Sequence, residues 1–487
     1  MTPIEPLAAG PDHRHPPASR VPELLAPGPI RIAIVGLTWD FFAVSTDVDL
    51  AALQHSLLDE LADQLKHDAD ICFRAQLSAI PGERVRQGFH DARPDAVIVM
   101  STMAAPTPPV TQLLAQAPEI PVVALALRTG RARPGPDYTH SDIVTDGGTV
   151  GTPQLTSVLL RNGHRVVPVL GDLTDPLPIR RAVMAAGTAG RVRHSRIGRL
   201  GGILTGYESV DVDVAALESE LGLTVVDIPA AEFRDVFRSQ QARDVEAEMW
   251  RLSGQYRVQL PAETLEATSR SVLSLAEIVD RYELDAGAFN CHVPEIRLRD
   301  LGFAQCVALG ESTSFGIPWT CTGDMLGAIA MLVTKRLSGV ALYHEFEHYA
   351  AAEDCFVIAN SGEHDAAFGS AHETPIMDLN PWWPSGASVQ TTPPPGPATA
   401  VGFAWLGAER GSRIVAASGT FHPSPYRRTG TTHAAFRFDD PAGLGQQARW
   451  QRWCRAGVNH HSALTRGAFA DGAATVAELL GIDATIV

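Results

Sequence analysis

The sequence predicts an α/β protein in which two doubly wound α/β domains with parallel sheets are followed by a β-rich C-terminal domain. Three observations lead there. At 487 residues the chain exceeds what one hydrophobic core usually supports, so two or three domains are expected. From Arg31 onward, short β-branched runs alternate with amphipathic stretches, the pattern of a parallel sheet with helices on both faces. Towards the C-terminus the pattern becomes an apolar–polar alternation, which belongs to antiparallel strands.

Residues 1–28 are rich in Pro, Ala and polar groups. Prolines deny both helix and sheet hydrogen bonds, so this arm reads as a flexible tail, with His13 and His15 solvated. The first domain, residues 29–190, carries the runs RIAIVGL, ICFRAQL, DAVIVMS and PVVALALR, separated by helical segments such as LDELADQLKH. In doubly wound sheets ligands gather at the carboxyl ends of the strands, where Trp39-Asp40, Ser101-Thr102 and Arg128 fall. The pair Gly147-Gly148 precedes a helix and either serves a turn or lets backbone approach a ligand.

A second α/β unit, residues 191–338, opens with RIGRLGGILTG and continues through LTVVDIP, a long helical region from Ala242 to Tyr282, and AGAFNC. A helix beginning near Asp324 ends at Gly339, a C-cap signal that marks entry to the third domain, residues 339–487. There, NPWWPSGASVQTTPPPGPATA reads as a Pro-broken loop. VGFAWLGA, SRIVAASGTFH and AAFRFD read as strands, and DGAATVAELLG as a closing helix.

A net charge of -16 argues against nucleic acid or an anionic membrane surface as a partner, because both need a basic face. A small neutral substrate or a bound cation fits better. The 6 cysteines are scattered without a CxxC pair, which suits reduced thiols and indicates neither a disulfide frame nor a Cys-type zinc site. No stretch has the apolar core of a signal peptide or the length of a membrane span, so a cytoplasmic location is expected.

The densest set of metal-holding and proton-moving groups lies between Pro318 and Asp365, with a distant partner in Asn459-His460-His461. Within it, His344-Glu345-Phe346-Glu347-His348 matches HExxH, the zinc peptidase pattern in which two histidines one helical turn apart bind the metal. That motif needs a helix. Val340, Leu342, His344 and Phe346 instead alternate with Ala341, Tyr343, Glu345 and Glu347 as in a strand, which puts His344 and His348 on one face and Glu345 on the other.

Cys321-Thr322-Gly323-Asp324, the apolar helix MLGAIAMLV, Gly339, the strand ending at Glu345, the Val357 to Gly362 turn and Asn459-His460-His461-Ser462-Ala463 together resemble landmarks of the L-arabinose isomerase and L-fucose isomerase superfamily. The stretches IRIAIVGLTWDFF, DAVIVMSTMAAPTPPV, PVVALAL and TDGGTVG resemble it too. The resemblance implies three domains and a homo-oligomer, a trimer or hexamer. It also implies a divalent ion, manganese first with magnesium or zinc as alternatives, and an aldose–ketose isomerase reaction on a sugar-like substrate. A hard cation stabilises the charge of an ene-diol while carboxylates beside it move the proton.

Carried over residue by residue, Glu345 matches the family's second carboxylate ligand and His461 the histidine of its closing pattern. Asp324 also matches, and it additionally suits a helix cap. Thr322 stands where the family has a carboxylate, and Asn360 where arabinose isomerases have a histidine. The resemblance therefore implies a diverged member acting on a polyhydroxylated or carbonyl substrate, with Glu311, Glu347, Glu363, His364 and His344 as nearby groups able to replace the missing acid. His460 is expected to pack behind His461, and Arg428 and His433 to contact substrate. A protein that keeps the fold but has lost the metal is the alternative.

Overall fold

The structure is a computed structural model that describes residues 18–128, 135–297, 301–359, 362–363, 365–383, 385–424 and 434–487. The chain divides into two compact units, one comprising Gly28–Arg193 with Thr475–Ile482, the other Met1–Pro27, His194–Ala474 and Asp483–Val487.

In the unit built on Gly28–Arg193, five strands lie parallel in the order Asp70–Leu77, Arg31–Leu37, Ala96–Ser101, Val122–Arg128 and Val166–Asp172. The three central strands are buried on almost every residue because helices cover them, which is why they read as continuous apolar runs. Asp49 starts the helix Leu50–Leu65 by accepting a 3.0 Å hydrogen bond from the Ala52 amide. The glycines before and within helix Gly148–Arg161 serve packing. A Cβ on Gly151 would lie 2.0 Å from the Met103 carbonyl, and one on Gly148 3.3 Å from Ala126 Cα. Arg128, at a strand end, is paired with Asp172 through a 2.8 Å hydrogen bond.

The other unit contains two larger sheets. One is parallel, in the order Trp319–Thr320, Ala286–Phe289, Arg196–Leu200 and Thr224–Ile228. The other is a closed antiparallel barrel. Its strands run Gly396–Trp405, His461–Arg466, Leu342–Ala350, Cys355–Ala359, Ala434–Phe438 and Ser412–Pro423, and the last pairs back with the first. Closure leaves few free strand edges. Asp483–Ile486 adds alongside Ser412–Pro423 in parallel. The barrel is filled by Phe346, Phe356, Phe421, Phe436 and Phe438 with Trp453.

The sequence expectation of separate domains meeting at residues 338/339 differs from this arrangement, because residues 194–474 cohere as one unit. Helix Met325–Ser338 is the reason. It is apolar nearly all round and buried at almost every position, packing on the parallel sheet and on the barrel strands Gly396–Trp405 and His461–Arg466.

Other expectations shift locally. The helical region from Ala242 to Tyr282 is two helices, Ala242–Gln255 and Ala262–Tyr282, separated by Arg257–Val258, which pairs with Ile376–Leu379. The Pro-rich segment read as a loop contains the strand Ala387–Gln390, whose partner is Ile376–Leu379. Of the arm expected to be a flexible tail, residues 1–17 lie outside the described residues, but Val21 is fully buried and the Ser19 hydroxyl donates to Glu248 at 2.6 Å. No helix among the described residues is long and apolar enough to cross a membrane.

Candidate metal centre

Glu345 and His461, 116 positions apart in the chain, are brought together by strand register. Leu342–Ala350 and His461–Arg466 pair antiparallel with Glu345 directly opposite His461, and directly opposed side chains on one sheet face lie within contact. Glu345 Oε1 is 3.0 Å from His461 Nε2.

Asp324 holds the other side of that imidazole. It is the N-cap of helix Met325–Ser338, where Oδ1 accepts the Gly327 amide at 2.8 Å. Its Oδ2 lies 3.1 Å from His461 Nδ1 and accepts the Tyr343 hydroxyl at 3.2 Å. Asn459 donates its Nδ2 to Asp324 Oδ1 at 3.3 Å, while its own Oδ1 accepts the His461 amide at 2.5 Å. Asp324 is fully buried, so one carboxylate caps the helix and fixes the histidine.

His460 does not pack behind His461. Its ring meets that of His461 at a tilt of 39° with centroids 3.8 Å apart, it is exposed, and it lines the same cavity. One ligand atom from each of Glu345, His460 and His461 lies within 4.8 Å of the others.

Burial pushes the His461 imidazole down, but its hydrogen bonds and charge attraction to Asp324 and Glu345 more than reverse this and carry it up to about 9. Burial lifts the Glu345 carboxyl, and the His461 contact with the nearby His460 and His344 outweighs it, leaving the carboxyl below its ordinary value. Although His460 is exposed as a whole, partial desolvation of its ring and the charge on His461 hold it below the ordinary imidazole value. His461 thus lies between the Asp324 and Glu345 side chains, with Nδ1 facing Asp324 and Nε2 facing Glu345.

The site opens into a cavity of about 310 Å³. Glu363, 3% exposed, lines it, and burial lifts its carboxyl to about 7. Tyr207, Trp382 and Trp383 provide aromatic walls, with the Arg297 guanidinium 4.3 Å above the Trp383 ring. A larger hollow of about 600 Å³ beside Arg257, Ser370 and Glu373 lacks a ligand cluster among the described residues.

The remaining sequence candidates are placed as follows. Thr322 lines the cavity, but its hydroxyl donates to the Cys321 carbonyl at 2.7 Å, and its φ of 58° is left-handed. Glu311 is absorbed by Arg251, Tyr256 and Gln255 and is not among the residues lining the cavity. His344 is 1% exposed, its Nδ1 lies 3.0 Å from the Ser462 carbonyl, and burial pushes it down to about 3. Asn360, His364, Arg428 and His433 lie outside the described residues.

The HEFEH segment is a strand, and a bulge between Phe346 and His348 changes its parity. His344 faces the barrel interior while the exposed His348 falls on the Glu345 side, so the expected shared face is lost together with the zinc peptidase geometry.

A second ligand group was not legible from spacing. Cys291, His292 and Cys321 present one ligand atom each within 4.8 Å, with the two sulfurs 2.9 Å apart. Only strand adjacency could have revealed it: Ala286–Phe289 and Trp319–Thr320 are neighbouring parallel strands whose carboxyl ends lead directly into the two cysteines. No protein-family model matches the sequence, and no curated protein matches it.

Proposed function

We propose that this protein is a diverged, metal-dependent enzyme of the sugar-isomerase kind, with Glu345, His460 and His461 holding a divalent ion. The opposed Glu345–His461 pair with Asp324 behind it carries this reading. Two imidazoles and one carboxylate suit manganese, iron or zinc with positions left open for substrate. The donor spacing fits as well: ligands at right angles about an ion about 2.1 Å away lie about 3 Å apart, and Glu345 Oε1 and His461 Nε2 are 3.0 Å apart.

An ion there would supply positive charge beside the oxygens of an aldose or 2-hydroxy carbonyl substrate. The protein's own groups do the rest. Asp324 accepts from His461 Nδ1, fixing the tautomer that leaves Nε2 for the ion. Glu363 replaces the carboxylate absent at Thr322: with its carboxyl lifted to about 7 it takes a proton from one carbon and returns it to the next near neutral pH. Trp382 and Trp383 offer apolar faces to a sugar ring, and Arg297 offers donors to its hydroxyls.

The test is solvent deuterium exchange. With manganese and a panel of pentoses and 6-deoxyhexoses in D2O, exchange at C2 should be seen by NMR and should fall about 100- to 10,000-fold in Glu363→Gln. Protein that retains manganese yet exchanges no substrate carbon would point to a repurposed reaction. Failure to retain manganese as well would point to the scaffold alternative.

A further inference from the structure

We infer that Cys291, His292 and Cys321 form a second metal site, for a thiophilic divalent ion such as zinc, facing the same cavity. This goes beyond the isomerase reading and does not depend on it, since it shares no ligand with Glu345, His460 and His461.

The placement follows from topology. Strands Ala286–Phe289 and Trp319–Thr320 lie parallel and adjacent, so the turns at their carboxyl ends leave the sheet side by side. Each turn is held tightly. Asn290 Oδ1 accepts the His292 amide at 3.2 Å. After Cys321 the backbone turns through Thr322 and Gly323, both at positive φ. A Cβ on Gly323 would lie 2.2 Å from the Gly202 carbonyl, so only glycine allows that approach.

The donor chemistry is that of zinc. Two thiolates and one imidazole make the three-ligand set that leaves a fourth position for water or substrate. Cys291 and Cys321 are 1% and 8% exposed, while His292 and Cys321 line the cavity, so the open position faces it. Two thiolates would neutralise a divalent ion in this buried setting, while the Arg297 guanidinium, whose Nη1 lies 2.7 Å from His292 Nδ1 and 3.2 Å from its Nε2, competes with the ion for the imidazole. Thiolates about 2.3 Å from a tetrahedral ion lie about 3.8 Å apart, so the sulfurs, now 2.9 Å apart, separate by about 0.9 Å on binding. The Arg297–His292 contact has to open as well for the imidazole to turn a nitrogen to the ion. Scattered cysteines far apart in sequence hide such a site, and nothing in the Glu345 centre requires thiols.

Cobalt(II) is the probe, added to fully reduced full-length protein in which all thiols have first been counted. The site predicts one cobalt with intense thiolate-to-metal charge-transfer absorption, displaced by zinc. That absorption should be lost in Cys321→Ser and in Cys291→Ser and retained in Glu345→Gln. X-ray absorption on zinc-loaded Glu345→Gln, in which the other centre has lost a ligand, should show two sulfur scatterers per zinc, which keeps the test open if a serine variant fails to fold. Cobalt bound without thiolate absorption, or zinc with only nitrogen and oxygen neighbours, would overturn the assignment. Loss of manganese binding in Glu345→Gln with the thiolate spectrum intact would show that the two centres are separate.

Discussion

Replacing Asp324 by Asn examines the carboxylate that stands behind His461. Asp324 uses both oxygens as acceptors: Oδ1 for the Gly327 amide and Asn459, Oδ2 for Tyr343 and His461 Nδ1. Asn has one acceptor. Asn caps helices about as well as Asp, so the carbonyl is expected to stay on the helix terminus and the amide nitrogen to face Tyr343 and His461. A donor opposite Nδ1 forces the tautomer with its proton on Nε2, the nitrogen needed for the ion. Loss of such a partner typically weakens metal binding about 10- to 100-fold, or about 1.4 to 2.7 kcal/mol. Calorimetric titration of the metal-free protein with manganese near neutral pH reads this directly, with thermal melting as a control on the fold. Equal manganese affinity in wild type and variant would refute the orienting role given to Asp324.

Three further outcomes follow from the same geometry. His344 titrates at about 3 in the fold, below about 6.5 when unfolded. Its neutral form is thus favoured by folding, and the associated stability is fully present above about pH 6.5 and is lost as pH falls. Metal-free protein should lose about 2 kcal/mol from this source between neutral pH and about pH 5; denaturant melts of His344→Asn that keep the wild-type pH dependence would count against it. Thr322→Asn should raise stability by about 1 kcal/mol, because Asn tolerates the left-handed backbone that a β-branched residue resists, and a lowered melting temperature would contradict this. Glu311→Gln should destabilise by about 1.5 to 3 kcal/mol by removing a buried charge paired with Arg251 while leaving manganese affinity unchanged, so an altered affinity would place Glu311 in the centre after all.

Much of the chain was readable because its signals are local. The runs RIAIVGL, DAVIVMS and PVVALALR became buried parallel strands, and the alternation around Glu345 correctly favoured strand over helix. Barrel closure was not readable, since it depends on Gly396–Trp405 and Ser412–Pro423 pairing with each other as well as with distant strands. The bulge beside Glu347 escaped for a similar reason: one extra residue reverses the facing of His348 without changing the hydrophobic pattern that flags a strand. At the site, the resemblance singled out Glu345, His461 and Asp324, and the structure adds why they meet, through register and a shared cap. His460, expected behind His461, instead lines the same cavity, because it precedes the strand His461–Arg466 and is not bound to that strand's alternation of faces. The cysteine group was overlooked because 30 residues separate its sulfurs in sequence.

Crystals of the metal-free protein soaked in manganese and measured on both sides of the manganese absorption edge give the most direct test of the proposed centre. An anomalous peak within about 2.0–2.3 Å of Glu345, His460 Nδ1 or Nε2, and His461 Nε2, with Asp324 still hydrogen-bonded to His461 Nδ1, is the predicted result. A manganese peak elsewhere, or none while Glu345 and His461 remain in direct contact at full soaking, would contradict it.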